Sequence, residues 1–146
     1  MKKTVLFIVT ILIASAAFSQ TKEKTKDSLI INGTDTIHIN PEQEAEFPKE
    51  SATNKYKSYF WFLVRNLNSD IPKQNGAPKG KYTVIVNFIV NADGSLSDFV
   101  IEKDPGYGTA EEVTRVLKLS PKWLPGQQNG RIVKSKHRQA ITFAVD

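Results

Sequence analysis

The stretch VNFIVNADGSLSDFVI, residues 86–101, contains two runs rich in β-branched and aromatic residues on either side of a polar turn. Such runs favour strands because branched and aromatic side chains pack well on a pleated surface. Gly94, the last residue of the turn, can adopt the positive φ that a tight turn needs. We therefore predict an antiparallel hairpin whose strands span Lys81–Val90 and Ser95–Lys103.

The first of these strands is apolar along one face, which consists of Tyr82, Val84, Val86, Phe88 and Val90. An apolar sheet face needs a covering layer. Upstream, Thr53–Asn68 is predicted to be a helix because its apolar residues recur at helical spacing. These residues are Tyr56, Tyr59, Phe60, Leu63, Val64 and Leu67.

Trp61 and Phe62 lie off that apolar stripe, and two interpretations remain open. Either the N-terminal hairpin described below covers them, or they form an exposed contact patch. We expect them to be covered, because large exposed aromatic side chains are unusual in monomers.

A second helix is predicted after the loop Asp104–Gly108. Thr109 with Glu112 three residues later forms a capping-box pattern. A narrow core stripe follows, made of Val113, Val116 and Leu117. Pro121 then ends the helix, because proline cannot continue it.

The last strand is predicted over Arg131–Val145, and a short hairpin over Ser28–Asn40 precedes the first helix. In the last strand Val133, Ile141 and Phe143 share one face. Lys134, Lys136 and Arg138 share the other. The order of helix, hairpin, helix and strand is typical of a two-layer α+β domain. We predict a three-stranded antiparallel sheet with two helices on one face, plus the short N-terminal hairpin.

The N-terminus has the layout of a secretory signal peptide. Lys2 and Lys3 precede an apolar run over Val5–Ile13, and small residues lead up to Ser19. Cleavage is predicted between Ser19 and Gln20. The alternative is an uncleaved anchor, but a membrane span wants about 20 apolar residues and this run is shorter.

The predicted export signal divides the chain into three expected parts. Residues 1–19 are the signal peptide, residues 20–45 a polar segment with the short hairpin, and residues 46–146 the main domain, located in the periplasm. The signal carries two of the 20 Lys and Arg residues, which leaves 18 against 15 acidic residues and a net charge of +3. Nucleic-acid binding needs a much stronger basic field. Without cysteine, neither a lipid anchor at the cleavage site nor disulfides are expected.

No pattern in the sequence predicts an enzyme, a metal site or a cofactor. The two histidines, His38 and His137, fall on different predicted strands, and His137 is interpreted as a polar residue on a half-exposed basic strand. The segment 91–94 resembles the middle of a calcium-binding loop, but Ile89 and Val100 stand where its carboxylates should be. The hairpin turn explains these residues instead.

The last strand has one physical use of its own. Placed at the edge of a three-stranded sheet, it would present unpaired backbone N–H and C=O groups. Its alternating cations, Lys134, Lys136 and Arg138, would discourage self-pairing and could equally attract an acidic extended peptide. Edge protection and peptide binding both remain open on this argument.

Four segments follow one another in a recognisable order: AEFPKES (45–51), VNFIVNADGSLSDFVI (86–101), EEVTRVLKLSPKWLPGQQNGR (111–131) and HRQAITF (137–143). The most specific of them contains Ser120-Pro121-Lys122-Trp123 followed by two Gly-containing turns. This ordered set resembles the TonB C-terminal domain family and covers Ala45 to Asp146.

The resemblance implies a fold and a role. Family members reach across the periplasm from an inner-membrane energy complex and pull on outer-membrane receptors, gripping a short receptor segment as an added strand. Carried over by position, the gripping strand is Ser135–Phe143. With Lys134, the candidate partner-binding residues are Lys134, Ser135, Lys136, His137, Arg138, Gln139, Ala140, Ile141, Thr142 and Phe143.

Two departures from the family pattern make plain binding the first expectation. Full transducers keep an anchor and a long Pro-rich spacer, whereas residues 20–45 hold a single proline, Pro41, and would span only roughly 30 Å. Ile71-Pro72 stands where many members have Tyr-Pro. We expect a periplasmic module, monomeric or weakly dimeric, that binds a TonB-dependent outer-membrane transporter or another envelope protein. The alternatives are a short anchored energy transducer for nutrient import and a periplasmic hydrolase or small-ligand carrier.

Overall fold

The computed structural model describes residues 30–32, 35–51 and 54–146. Its helices and strands, in chain order, are β1 (Ile30–Asn32), β2 (Asp35–His38), α1 (Tyr59–Asn66), α2 (Ile71–Gln74), β3 (Gly80–Val90), β4 (Leu96–Lys103), α3 (Thr109–Lys118), β5 (Gly126–Gln128) and β6 (Arg131–Val145). The predicted signal peptide, the polar segment after it and the turn of the N-terminal hairpin lie outside the described residues.

Two antiparallel pairings confirm the central strands predicted from sequence. β3 returns as β4 through a turn in which the Gly94 N–H donates to the Asn91 carbonyl at 2.9 Å. The whole of β3 also pairs with β6, from Gly80 opposite Val145 to Val90 opposite Ser135. The predicted apolar face of β3 is turned inward, and its members Val84, Val86, Phe88 and Val90 are fully buried.

The sheet is larger than predicted, and it is mixed. β1 pairs antiparallel with β2, which confirms the N-terminal hairpin. β2 in turn runs parallel to β6, with Ile37 opposite Lys134 and His38 opposite Ser135. The strand order is β1-β2-β6-β3-β4, and β5 pairs with the first residues of β6. The three predicted strands, β3, β4 and β6, do pair antiparallel, but the prediction did not include the parallel pair that joins the hairpin to β6, or β5. An isolated two-stranded hairpin is only marginally stable, and here its second strand is held by β6.

The helices and the inner face of the sheet share one core, which confirms the α+β class. Two helices contribute to it, α1 through Phe62 and Leu63 with its C-cap Leu67, and α3 through four residues of its inner side. The sheet contributes the inward residues of β3 together with Ile141 and Phe143 of β6. No helix of the described residues is long and apolar enough to cross a membrane.

The first helix starts later than predicted, which changes its buried face. It begins at Tyr59 rather than Thr53, and the Ser58 hydroxyl caps it by accepting the Trp61 N–H at 3.4 Å. Phe62 is fully buried, whereas Phe60 is 36% exposed and Trp61 49% exposed. Placing Phe60 in the core stripe was therefore wrong, because residues ahead of Tyr59 do not follow the helical period.

The expectation that the N-terminal hairpin covers Trp61 and Phe62 was also wrong. The rings of Phe47 and Tyr56 pack on Phe62, with centroids 5.6 Å and 5.1 Å away. These residues belong to the connector between β2 and α1. Trp61 remains at the surface.

The core stripe of α3 is confirmed, but its capping box is not. Val113, Val116 and Leu117 are buried as predicted. The N-cap is Gly108, in a left-handed conformation with φ 75°, and the Thr109 hydroxyl donates to the Gly106 carbonyl. Glu112 does not reach back to its own helix start, because its carboxylate binds Asn68 and Arg115 instead.

Candidate functional site

The candidate site is the side of β6 that faces away from β3. On that side β2 pairs only with Lys134 and Ser135. From Lys136 to Val145 no strand of the described chain continues the sheet there. Backbone N–H and C=O groups alternate in direction along a strand, so every second residue directs a donor and an acceptor to this open side.

The first two residues of the predicted partner-binding range, Lys134 and Ser135, are already paired with β2 on the side of β6 that faces away from β3. Lys134 faces Ile37, and Ser135 has His38 on one side and Val90 on the other. Ser135 is only 2% exposed. An incoming strand would therefore meet β6 from Lys136 onward, and the structure brings together Lys136–Phe143 as one continuous open side.

Half of the candidate residues point into the core and hold β6 in place. Ile141 and Phe143 are buried against the helices, and Gln139 is also buried. The Gln139 side chain donates from Nε2 to the Ala140 carbonyl at 2.9 Å, so this buried amide finds a partner within its own strand. Because these side chains are fixed by packing, the backbone of β6 is a preorganised template.

The other half of the candidate residues lie on the outer face of the sheet and include its charged side chains. Arg138 donates from Nε and Nη2 to the two carboxylate oxygens of Glu102 on β4, at 2.9 Å and 2.8 Å. Asn87 donates to the same carboxylate at 3.0 Å. These hydrogen bonds, Arg138 first, lower the pKa of Glu102 to about 2. The Arg138 charge is thus already matched by a bidentate partner, whereas Lys136 makes no ion pair with a described residue.

His137 occupies an inward position that its sequence interpretation missed. Its ring packs between Phe88 and Trp123, with centroids 5.1 Å and 5.0 Å away. Burial lowers the pKa of the imidazole below its ordinary value of 6.5. The alternation of side chains along a strand could have predicted this position, because His137 lies an even number of residues from the buried Ile141 and Phe143 and so shares their face.

The opposite end of the sheet offers a second, less regular edge. β4 is last in the strand order, so its outer side also lacks a strand partner within the described residues. Its pairing with β3 contains two register shifts, and Asp98 has a positive φ of 51°. Bulges of this kind twist an edge and interrupt its ladder. β6 pairs with β3 without any register shift and is the better template for another strand.

Two surface clefts bear on the expectation of a hydrolase or ligand carrier. One, of about 440 Å³, lies at the β5–β6 turn and is lined by His38, Gln128, Asn129, Arg131 and Val133. The other, of about 380 Å³, lies beside α1 and contains no histidine. Neither brings a histidine together with a nucleophile and a carboxylate, the arrangement that a catalytic triad needs. Within the described residues no group of three His, Cys, Asp or Glu side chains is placed to hold a metal ion.

No protein-family model matches the chain, and neither does a curated protein or a solved structure.

Proposed function

We propose that this chain is a periplasmic protein-binding module that takes up an extended segment of another envelope protein as a strand along Lys136–Phe143. The observation that carries the proposal is the asymmetry of β6. β3 pairs with it over its full length on one side, and from Lys136 onward the described chain supplies no strand on the other.

Strand addition uses the features that this side of β6 offers. Main-chain hydrogen bonds supply affinity, and each contributes about 0.5–1.5 kcal/mol net. The inward side chains of β6 are already packed, so little backbone ordering is needed before binding. Lys136 gives an acidic segment an advantage, because opposite charges across an interface favour encounter.

The resemblance to TonB C-terminal domains supports a specific class of partner. An outer-membrane TonB-dependent transporter presents a short segment to the periplasm, and strand addition to a late strand is how the family grips it. The signal-peptide pattern at the N-terminus supports the location. Another envelope protein with an exposed acidic segment would satisfy the same geometry.

The test is an NMR titration of the isotope-labelled protein with synthetic peptides taken from periplasmic segments of outer-membrane receptors. We expect shifts and slowed hydrogen exchange at alternate amides of Lys136–Phe143. A matched peptide with alternate amides N-methylated keeps every side chain but loses the donors, and it should not bind. Shifts confined to β4, or equal binding of the N-methylated peptide, would refute strand addition at β6.

The charge component is tested separately with Lys136→Glu. This variant should bind an acidic peptide more weakly, and the loss should shrink at high salt because surface charges are screened. Lys118→Glu, an exposed charge reversal at the end of α3, is the matched control and should bind normally. Equal affinity of both variants would remove the electrostatic part of the proposal.

A further inference from the structure

An aromatic and cationic surface lies at the start of α1, apart from the open side of β6. Phe60 and Trp61 are both exposed, and their rings pack edge to face with centroids 5.8 Å apart. Beside them a cleft of about 380 Å³ is lined by Glu50, Lys55, Tyr56, Lys57, Trp61 and Arg65. We call Lys55, Lys57, Phe60, Trp61 and Arg65 the α1 patch.

The helix and the cleft together bring these residues to one place. Trp61 and Arg65 are four positions apart within α1 and so share one side of the helix. Lys55 and Lys57 precede the helix and line the same cleft as Trp61 and Arg65. Ser58 caps the helix through the Trp61 N–H, which fixes where the indole leaves the backbone. The core below is filled by Phe62, so the rings of Phe60 and Trp61 are left outside it.

The cations of the α1 patch lack acidic partners within the described chain. Lys55 lies over the Tyr56 ring, 5.4 Å from its centroid, and this is a cation–π contact rather than an ion pair. Lys57 and Arg65 make no ion pair with a described residue. By contrast, Arg115, Lys122 and Arg138 each hold a carboxylate. The patch therefore combines exposed rings with an excess of positive charge, because Lys55, Lys57 and Arg65 share the cleft with a single carboxylate, Glu50.

We propose that the α1 patch docks on an anionic phospholipid surface. Tryptophan is enriched at membrane interfaces, where its ring lies at the level of the headgroups. Lys and Arg beside it attract anionic headgroups. Two adjacent rings on a helix, with no strand of the described chain beside them, suit a lipid interface better than an extended peptide, which would pair with a strand edge. This inference concerns another surface than β6 and does not depend on the strand-addition proposal.

The experiment uses the full chain as recovered from cells, with vesicles of mixed phosphatidylglycerol and phosphatidylcholine or of phosphatidylcholine alone. Trp123 is only 4% exposed, so iodide quenching of the fluorescence reports on Trp61. We expect the anionic vesicles to shift the emission to shorter wavelength and to protect Trp61 from iodide. Lys57→Gln and Arg65→Gln should each weaken binding roughly five-fold, since one cation near such a surface contributes about 1 kcal/mol. Trp61→Phe should remove both the emission shift and the vesicle-dependent protection from iodide.

Lys118→Gln is the matched control, because it removes an exposed cation from another helix and should leave vesicle binding unchanged. Any contribution of the apolar run at the N-terminus is common to all variants and therefore cancels in the ratios of their vesicle affinities. Equal binding to both vesicle types, or equal losses in Lys57→Gln and Lys118→Gln, would overturn the inference. Protection of Trp61 by soluble polyglutamate but not by vesicles would overturn it too, and would indicate an acidic protein partner.

Discussion

The carboxylate of Glu112 accepts the backbone N–H of Asn68 at 2.7 Å and so joins α3 to the chain just after α1. Arg115 completes the arrangement. It donates to both oxygens of Glu112 and, through Nη2, to the Asn66 carbonyl at 2.7 Å. The hydrogen bonds from Arg115 are the largest cause that lowers the pKa of Glu112. Glu112 thus satisfies the Asn68 N–H, and Arg115 satisfies the Asn66 carbonyl, one of the acceptors that the end of α1 leaves without an intrahelical partner.

Glu112→Ala should lower the free energy of unfolding by about 1–3 kcal/mol, because it leaves the Asn68 N–H without its acceptor and Arg115 without its pair. Urea denaturation measures the loss. Glu111→Ala, at an exposed position of the same turn, should change stability by less than about 0.5 kcal/mol. A similar small change in both variants would show that the Glu112–Asn68 hydrogen bond does not stabilise the fold.

Gly94→Ala should destabilise more than Gly130→Ala. Both glycines have positive φ, 81° and 69°, so both variants incur the left-handed cost of about 1–2 kcal/mol. At Gly94 a Cβ would lie 2.2 Å from the Trp123 carbonyl oxygen, whereas at Gly130 it would meet nothing within 4 Å. Thermal unfolding compares the two. Equal melting temperatures would contradict the close approach of the β3–β4 turn to Trp123.

Tyr59→Phe should be neutral or stabilising, although it removes a hydroxyl from the core. That hydroxyl is buried with no hydrogen-bond partner among the described residues, and burial raises the pKa of Tyr59. Tyr56→Phe is the matched control, because the Tyr56 hydroxyl accepts from Asn66 Nδ2 at 3.1 Å. Its loss should cost about 0.5–1.5 kcal/mol. If Tyr59→Phe is the more destabilising of the two in urea, its hydroxyl has a partner after all.

Stability should fall as the pH drops below about 6.5. The pKa of His137 is lowered in the folded state, so the unfolded chain binds the proton more readily. The neutral imidazole therefore stabilises the fold above pH 6.5, and this contribution is lost as the pH falls through the lowered folded-state pKa. Urea midpoints at a series of pH values measure the slope. His137→Gln should flatten it in this window, and an unchanged slope would assign the dependence to other groups.

The protein recovered from the envelope should begin at Gln20. The short apolar run and the small residues before that position predict cleavage after Ser19. Edman sequencing or mass spectrometry of the intact chain decides this. An N-terminus at Met1, with the chain in the membrane fraction, would favour the anchored transducer over the released binding module.

Local sequence patterns correctly predicted the elements that depend on residues close to one another in the chain. The hairpin around Gly94 and the buried faces of β3 and α3 follow from alternation and helical spacing. Two errors came from competition between tertiary contacts and local rules. The first concerns α1: Tyr56 lies outside the helix, and Phe62 is the residue that points into the core. The second concerns α3: the Glu112 carboxylate accepts the Asn68 N–H instead of a backbone N–H at the start of its own helix.

Pairing between distant strands could not be predicted in the same way. β2 lies beside β6 through only two residue pairs, and nothing in the sequence of either strand specifies the other. β5 is three residues long and contains two glutamines, so it has no apolar alternation to reveal it. For the candidate site, the open side from Lys136 onward followed from the sequence, whereas the β2 contacts of Lys134 and Ser135 did not.

The irregularity of β4 sets a limit on self-assembly. A fibril grows only if each copy offers two complementary edges, one to receive a neighbour and one to join the next. Of β4 and β6, the two long strands with an open side, only β6 is regular, so two copies that pair through a long strand edge would do so β6 to β6. Such a contact closes on itself in a two-fold pair and occupies the long regular edge of both copies. The bulge at Asp98 thus makes β4 a poor second edge for further growth, and a partner strand bound at β6, as proposed above, would compete with the pair for the same edge.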